Sequence, residues 1–203
     1  MMEEWLDIVD EEGNPTGKTV ERSAAHREGI RHRTAHVWLA RIREGRPQLL
    51  LQKRSRDKDS HPGCFDMSSG GHIPAGVEYL PSAIRELQEE LGVTAREEEL
   101  IDCGVRRFFR KERFHGAPFL DCQVSRVYLL WKDPEEFHLQ EEEVEEVRWI
   151  DYDDCIRAVR ETVFPTASPW RSLRCWREPS APADRKPEKF QFPYCISKNS
   201  VIE

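Results

Sequence analysis

The sequence lacks the features that mark several large classes of protein. Its six cysteines include no C-x-x-C pair, so a zinc ribbon or a thiol redox motif has no support. No apolar run is long enough to cross a membrane, and the acidic start, MMEEWLDIVDEEG, contains no apolar signal core. We therefore expect free thiols, no membrane association and a cytoplasmic location.

The sequence also lacks an excess of basic residues. Its 203 residues carry a net charge of −7, with 38% hydrophobic and 34% charged residues. That composition is typical of a polar globular chain without the basic footprint of a general nucleic-acid binder, so we expect no nucleic-acid partner. The negative charge does not exclude a small phosphorylated substrate, because a bound cation supplies positive charge locally.

The composition changes after Trp176. Residues 177–189 are rich in proline and charge, which is typical of a linker. We predict one domain over residues 1–176, followed by a Pro-rich linker and C-terminal tail over residues 177–203. The tail is long enough to wrap a second subunit, so a homodimer is a hypothesis, and the oligomeric state stays open.

Strand-like runs dominate the first 150 residues, and residues 22–36 and 54–71 read as loops. Helices are predicted from about residue 80 to 91, over 151–163 and after Pro169. This mixture favours an α/β sandwich around a mixed sheet. The predicted strands cover residues 4–10, 18–22, 36–43, 48–53, 100–110, 118–131 and 144–150.

The most informative stretch is residues 68–93, a glycine-rich loop that leads into a helix. Glycine lets the backbone approach a ligand closely. Pro81 suits the first helical turn, and Gly92 suits the position just after the last. The apolar side of the helix comprises Leu80, Ile84, Leu87 and Leu91 at helical spacing.

The other side of this helix carries Glu86, Glu89 and Glu90. Each like-charge pair at i, i+3 or i+4 costs about 0.2–0.5 kcal/mol, which solvent alone can screen. Directly behind a glycine loop, a hard divalent cation with oxygen ligands would turn the repulsion into coordination. Magnesium in particular keeps free positions for phosphate oxygens.

These residues resemble the Nudix box, in which a glycine is followed by a glutamate and then by Arg-Glu-apolar-x-Glu-Glu-x-Gly-apolar. The match comprises Gly71, Arg85-Glu86-Leu87, Glu89-Glu90 and Gly92-Val93. The one departure is Val77 where the first glutamate is expected, with Glu78 beside it. The resemblance implies a Nudix-type α/β/α sandwich around a mixed β-sheet. It also implies a pyrophosphohydrolase that depends on Mg²⁺ or Mn²⁺.

The resemblance further implies roles for the residues of the box. Glu86, Glu89 and Glu90, with the carbonyl of Gly71, are the expected metal ligands. Arg85, Glu86 and Glu89 are the expected catalytic residues, and Arg85 orients a glutamate. Its usual partner is the glutamate that is missing at position 77. The general base is either Glu89 or an acid within residues 141–143.

Basic residues near the glycine loop are candidates for substrate binding. Arg54 and Lys58 lie in the long loop before it and suit a phosphate. His72 resembles a metal-binding histidine of type 1 isopentenyl diphosphate isomerases, and we group it with the substrate-binding residues. A zinc site at His26, His32 and His36 is conceivable, but no metal-ligand spacing supports it; the other interpretations of residues 22–36 are an exposed basic loop or a phosphate-facing basic rim.

Three functions remain in competition. The leading hypothesis is hydrolysis of the pyrophosphate bond of a nucleoside diphosphate linked to another moiety, or of a related small diphosphate. The second is isopentenyl diphosphate isomerase. Those isomerases place a cysteine just before the box glycine, whereas this chain has Gly70 there, and Cys64 lies six residues earlier. Their later acidic pair aligns with Asp121-Cys122-Gln123, where the second acid is an amide. The third is a nucleotide-binding module that lost catalysis, favoured only by Val77.

Overall fold

The structure is a computed structural model that describes residues 4–161. The predicted tail at 177–203, the domain end at 176 and the helix after Pro169 lie outside these residues. Nine strands and three α-helices follow one another within the described range, with a 3₁₀ turn at Glu97–Glu99 before β7. They are β1 (Trp5–Val9), β2 (Pro15–Glu21), α1 (Arg22–Glu28), β3 (His32–Arg43), β4 (Arg46–Arg54), β5 (Phe65–Asp66), β6 (Ser69–His72), α2 (Tyr79–Leu91), β7 (Leu100–Phe114), β8 (Ala117–Trp131), β9 (Val144–Asp151) and α3 (Tyr152–Glu161).

The sheet is mixed, as predicted. β1 and β2 form an antiparallel hairpin, and β3 to β9 form a seven-stranded sheet. β3 runs parallel to β8 from His32, opposite Gln123, to Ala40, opposite Trp131, while the other described pairings in the sheet are antiparallel. β8 lies between β3 and β7, which explains why its sequence is so strongly apolar.

β3 pairs with β8 along one edge, and along its other edge it pairs with two strands. Its first half pairs with β6, from Thr34 opposite His72 to Val37 opposite Ser69. Its second half pairs with β4, beginning at Ala40 opposite Leu49. We call this division the fork. It places the glycine-rich strand β6 beside the start of β3.

Helices cover both faces of the sheet, which confirms the predicted α/β/α sandwich. Alternate residues of β3 point to opposite faces because a strand has a period of two. Val37 and Leu39 pack in one core with Leu87 of α2. Trp38 packs in the other core with Tyr152 of α3. The described helices include none that is both long and apolar enough to cross a membrane.

Two regions predicted as loops contain regular structure. Residues 22–36 form helix α1 and the start of β3. The Glu21 side chain accepts a hydrogen bond from the Ser23 amide at the start of α1, and Gly29 ends the helix in the left-handed conformation at φ 69°. Residues 54–71 contain β5 and most of β6, which are too short and too glycine-rich to show a strand pattern.

Candidate active site

A cavity of about 370 Å³ opens where the fork, α1 and α2 meet. It brings together residues from α1, β3, β6, α2 and β8 with the segments around Arg54 and Glu143. The predicted site residues Arg54, Lys58, Gly71, His72, Arg85, Glu86, Glu89 and Glu90 all line it. The sequence therefore predicted residues that the fold brings to one place.

Glu90 is the most deeply buried of the box glutamates. It is 5% exposed, and its Oε2 accepts a hydrogen bond from the Gly70 amide at 3.2 Å. Burial, and then the nearby charge of Glu86, raise the pKa of Glu90 to about 8. Without a cation, this carboxyl therefore favours its protonated form at neutral pH.

Glu86 lies directly over the glycine loop. A Cβ on Gly71 would lie 2.4 Å from the Glu86 Cδ, so only glycine leaves room for this carboxyl. Burial raises the pKa of Glu86 to about 7, against the opposing effect of Arg85. The charges of Glu89, Glu4 and Glu143 raise it further. A divalent cation would relieve this crowding of acids, so the residues fit a hard cation with oxygen ligands.

Arg85 holds two of the box glutamates. Its Nη2 donates to Glu86 Oε1 at 2.6 Å, and its Nη1 donates to Glu89 Oε2 at 2.8 Å. Glu89 is the most exposed of the three box acids, with 49% of its side chain accessible. The arginine therefore orients glutamates that line the cavity, without the missing acid at position 77.

Val77 stands where the Nudix box has its first glutamate, and Glu78 is its neighbour. The Val77 side chain packs against the α2 core. Its carbonyl accepts a hydrogen bond from Arg33 Nη2 at 2.7 Å. Glu78 is the N-cap residue of α2, is exposed, and makes no side-chain capping bond. The polar pairing expected at position 77 is thus replaced by an apolar contact.

The basic side of the cavity carries Arg54 and Lys58. Arg54 donates to the Ser60 carbonyl at 3.1 Å and lies 3.8 Å from Asp66. Lys58 forms an ion pair with Glu143. Both side chains are largely buried, so their conformations are fixed by these contacts. Of the acids at 141–143, only Glu143 lines the cavity.

Three histidines come together beside this cavity, which His26 and His72 line while His32 is fully buried, and the sequence did not predict this grouping. His26 of α1, His32 of β3 and His72 of β6 place one ring nitrogen each within 4.8 Å of one another. Asp121 of β8 lies beside them, 3.7 Å from His26 Nε2 and 3.8 Å from His32 Nε2. Their spacing along the chain carries no signal because the residues come from four separate elements.

Comparison with known proteins supports the class that the fold and the box define. The model of the NUDIX domain matches residues 31–170. The chain is 39% identical over 160 residues to an uncharacterized Nudix hydrolase of Clostridium acetobutylicum, covering 77% of this chain and 74% of that protein. The chain therefore belongs to the NUDIX domain family, and the predicted class, a Nudix pyrophosphohydrolase, is confirmed. This family acts on diphosphate-containing compounds.

A plant relative is much longer than the matched segment. The chain is 42% identical over 158 residues to Nudix hydrolase 3 of Arabidopsis thaliana, covering 76% of this chain and 20% of that protein. The segment therefore spans about a fifth of the plant protein's length.

A solved structure agrees in fold. The DR0079 protein of Deinococcus radiodurans aligns with a TM-score of 0.63 and 20% identity, covering 86% of this chain and all of that one. At this identity the likeness concerns the fold alone.

Proposed function

We propose that the protein hydrolyses the pyrophosphate bond of a nucleoside diphosphate linked to another moiety, or of a related small diphosphate, with Mg²⁺ or Mn²⁺. The observation that carries the proposal is the position of Glu86 and Glu90. Glu90 is buried and Glu86 is largely buried beside the glycine strand, and both line a cavity that Arg54 and Lys58 also line. This arrangement suits a metal–diphosphate complex, with acids for the ion and bases for the phosphates.

The metal would be held by Glu86, Glu89, Glu90 and the carbonyl of Gly71. When bound, Mg²⁺ or Mn²⁺ supplies charge neutralisation at the phosphates and a more acidic water. Arg85 fixes Glu86 and Glu89 through one hydrogen bond to each. Positioned acids of this kind bind an ion without first losing side-chain freedom.

The substrate phosphates are assigned to Arg54 and Lys58, with His72 lining the same cavity. Arg54 is held by Ser60 and Asp66, so its guanidinium is oriented before the substrate arrives. Lys58 is engaged by Glu143, and an incoming phosphate would compete for this ammonium. Release of Glu143 from Lys58 would leave a free carboxylate beside the phosphates.

Two acids remain candidates for the general base that takes a proton from the attacking water. Glu89 is exposed and bonded to Arg85, which places it at the mouth of the cavity. Glu143 also lines the cavity and is paired with Lys58. A base contributes about 10²–10⁴-fold to the rate, so the two assignments are separable by mutation.

The isomerase alternative requires a proton-transfer thiol in the cavity. Among residues 4–161, no cysteine lines the cavity, and Cys64 is outside it. The hydrolase is therefore the function we propose, and isomerisation and binding without turnover become outcomes of its test.

The test is a screen of nucleotide, sugar and isoprenoid diphosphates with Mg²⁺ or Mn²⁺, read by phosphate-product release and, for isoprenoids, by proton exchange. We expect metal-dependent release of a monophosphate. Glu90→Gln should lower kcat by at least about 100-fold with an unchanged fold, whereas Glu97→Gln, in an exposed turn, should match the wild type. Proton exchange without phosphate release, or nucleotide binding without turnover, would replace the proposal.

The base is assigned by comparing Glu89→Gln with Glu143→Gln over a range of pH at saturating metal. Loss of the basic-side dependence of kcat in only one variant identifies that residue as the base. If both variants keep wild-type kcat, neither acid is the base.

We further propose a cytoplasmic protein without a nucleic-acid partner, with residues 1–176 as the catalytic domain. The homodimer hypothesis rests on the tail and is checked by light scattering of the full chain and of a chain ending at 176. A monomer in both cases would remove it.

A further inference from the structure

Gln52 of β4 and Asp66 of β5 form a polar pair that lines the cavity. The two residues are directly opposite each other in the antiparallel pairing of these strands. Side chains at opposite positions project from the same face of a sheet, with Cβ atoms about 4.5–5.5 Å apart. The amide and the carboxyl are therefore neighbours, and Gln52 has no role in the hydrolysis proposed above.

Both side chains are buried and bring acceptors that the protein does not fully use. Gln52 is 2% exposed, and its Oε1 has no hydrogen-bond partner among the described residues. Asp66 is 7% exposed, and its Oδ1 accepts from the Met67 amide at 2.9 Å. Its Oδ2 lies 3.8 Å from Arg54 Nη1, which is too far for a hydrogen bond.

A pair of this kind favours a ligand that donates hydrogen bonds. Burying an acceptor without a partner costs free energy, and a donor from the ligand would remove that cost. Burial raises the pKa of Asp66, whereas the charge of Arg54 opposes the shift. Hydroxyl groups donate to both amide and carboxylate oxygens, so they suit both members of the pair.

The position of the pair shows which part of a substrate would supply the donors. Asp66 is the neighbour of Arg54, whose guanidinium is assigned to the substrate phosphates and held by the Ser60 carbonyl. The donors would therefore belong to the group attached directly to the phosphates. In a nucleotide this group is ribose, whose 2′- and 3′-hydroxyls lie on adjacent carbons. An isoprenyl chain offers no donor and would leave both acceptors unpaired.

We propose that Gln52 and Asp66 bind the hydroxyls of a sugar attached to the substrate's phosphates. The inference rests on the proposed function and narrows its substrate class to nucleoside and sugar diphosphates. A site built to bond a hydroxyl discriminates strongly against an analogue that lacks it, because the buried groups of the site are then left unpaired. The pair would thus set specificity beside the phosphate-binding Arg54.

The test measures binding without turnover, by isothermal titration of the full chain with Mg²⁺. The ligands are α,β-methylene analogues of nucleoside diphosphates with each common base, carrying ribose, 2′-deoxyribose or 2′,3′-dideoxyribose. We expect the ribose form to bind at least about 10-fold more tightly than the dideoxyribose form. Methylenebisphosphonate serves as the probe without a sugar, and the methylene analogue of isopentenyl diphosphate should bind no better than it does.

A ribose 5-bisphosphonate without a base separates the two sources of hydroxyls. Binding as tight as that of the nucleoside analogues would support the inference and assign the pair to sugar diphosphates. Weaker binding, with the preference for ribose kept among the nucleoside analogues, would support it for nucleotides. Equal affinity for the ribose and dideoxyribose forms would overturn it.

Variants separate hydroxyl binding from simple support of Arg54. Gln52→Leu and Asp66→Asn should each lower the preference for ribose over dideoxyribose by about 3-fold or more. Asp66→Asn should not weaken binding of methylenebisphosphonate, because it removes a negative charge beside Arg54. Asp57→Asn, an exposed acid in the same loop, should match the wild type in both respects. An equal loss for all ligands in Asp66→Asn would overturn the inference, because Asp66 would then act only through Arg54.

Circular dichroism reports the fold of each variant, and Gln52→Leu keeps the test open if Asp66→Asn does not fold. The outcome is separable from that of the hydrolysis test. Preference for ribose without turnover of any diphosphate would refute the hydrolase and keep the sugar site. Hydrolysis with no preference for ribose would keep the hydrolase and refute the sugar site.

Discussion

Arg33 donates from Nη2 to the Val77 carbonyl at 2.7 Å. The same nitrogen donates to Asp7 Oδ2 at 2.8 Å, in a buried ion pair. This bond joins the start of β3 to the position where the family pattern places its first glutamate. Since the Val77 side chain packs against the core, position 77 is structural in this chain.

Restoring the family residue at this position should therefore harm the protein. We expect Val77→Glu to lower the free energy of unfolding by about 1–3 kcal/mol, because a carboxylate replaces a packed apolar side chain. Urea denaturation measures the change, and Glu78→Gln, at an exposed neighbour, should leave stability nearly unaltered. A gain in kcat/KM in Val77→Glu without loss of stability would contradict this view of the site.

Gly71→Ala tests the close contact between the glycine strand and Glu86. The new Cβ would lie 2.4 Å from the Glu86 Cδ, so this carboxyl must move. We expect kcat/KM to fall by at least about 10-fold with little change in Tm, because a misplaced catalytic group is costly. Gly70→Ala is the matched comparison, since its Cβ would meet Met67 Sδ at 3.2 Å and the Ala35 carbonyl oxygen at 3.3 Å, neither of which belongs to a box glutamate. Equal losses in both variants would argue against a special role for Gly71.

Arg85→Ala removes the bonds to Glu86 and Glu89 together. Both pairs are partly exposed, so stability should change by less than about 1 kcal/mol. We expect the apparent Kd for Mg²⁺ to rise by about 10-fold or more, because the two carboxylates lose the group that orients them. Isothermal titration measures this. Arg96→Ala removes an exposed arginine that also pairs with two glutamates, and it should bind Mg²⁺ as the wild type does.

His36 should make stability depend on pH. Burial, and then the charge of Arg106, lower its pKa to about 3 from an ordinary 6.5, although Asp121 opposes the shift. Between about pH 3 and pH 6.5, His36 is protonated in the unfolded chain and neutral in the native chain. Stability is therefore fully present above about pH 6.5 and falls on acidification, by up to about 1.4 kcal/mol per pH unit.

The corresponding experiment is urea denaturation of His36→Gln and the wild type between pH 4 and 7. The variant should show a shallower loss of stability on acidification. His138→Gln removes an exposed histidine and should keep the wild-type slope. Identical slopes in all three proteins would mean that His36 does not titrate in this way.

Sequence reasoning performed best where local signals and tertiary packing agree. The apolar spacing of Leu80 to Leu91 and the stop at Gly92 predicted α2, and the structure places Gly92 at φ 69° after the last turn. The glutamates behind the glycine loop followed from the same stretch. Strands β4, β7, β8 and β9 were placed correctly to within a few residues because each shows a strong apolar pattern.

Sequence reasoning failed where elements are short and their partners are distant. α1 has only seven residues, and basic side chains obscured its capping at Glu21 and Gly29. β6 is mostly serine and glycine, and becomes a strand only through pairing with β3. The histidine cluster depends on both errors, since it joins α1 to β6, so no local pattern could reveal it.

The order of the cavity residues along the chain has a consequence for synthesis. β9 pairs with β4 from Gln48 opposite Asp151 to Arg54 opposite Val144, and this pairing carries Glu143 beside Lys58. In a growing chain whose β9 has not yet left the ribosome, Glu143 does not reach the cavity beside Lys58. We therefore expect a nascent chain to stay inactive until β9, the last strand within residues 4–161, pairs with β4.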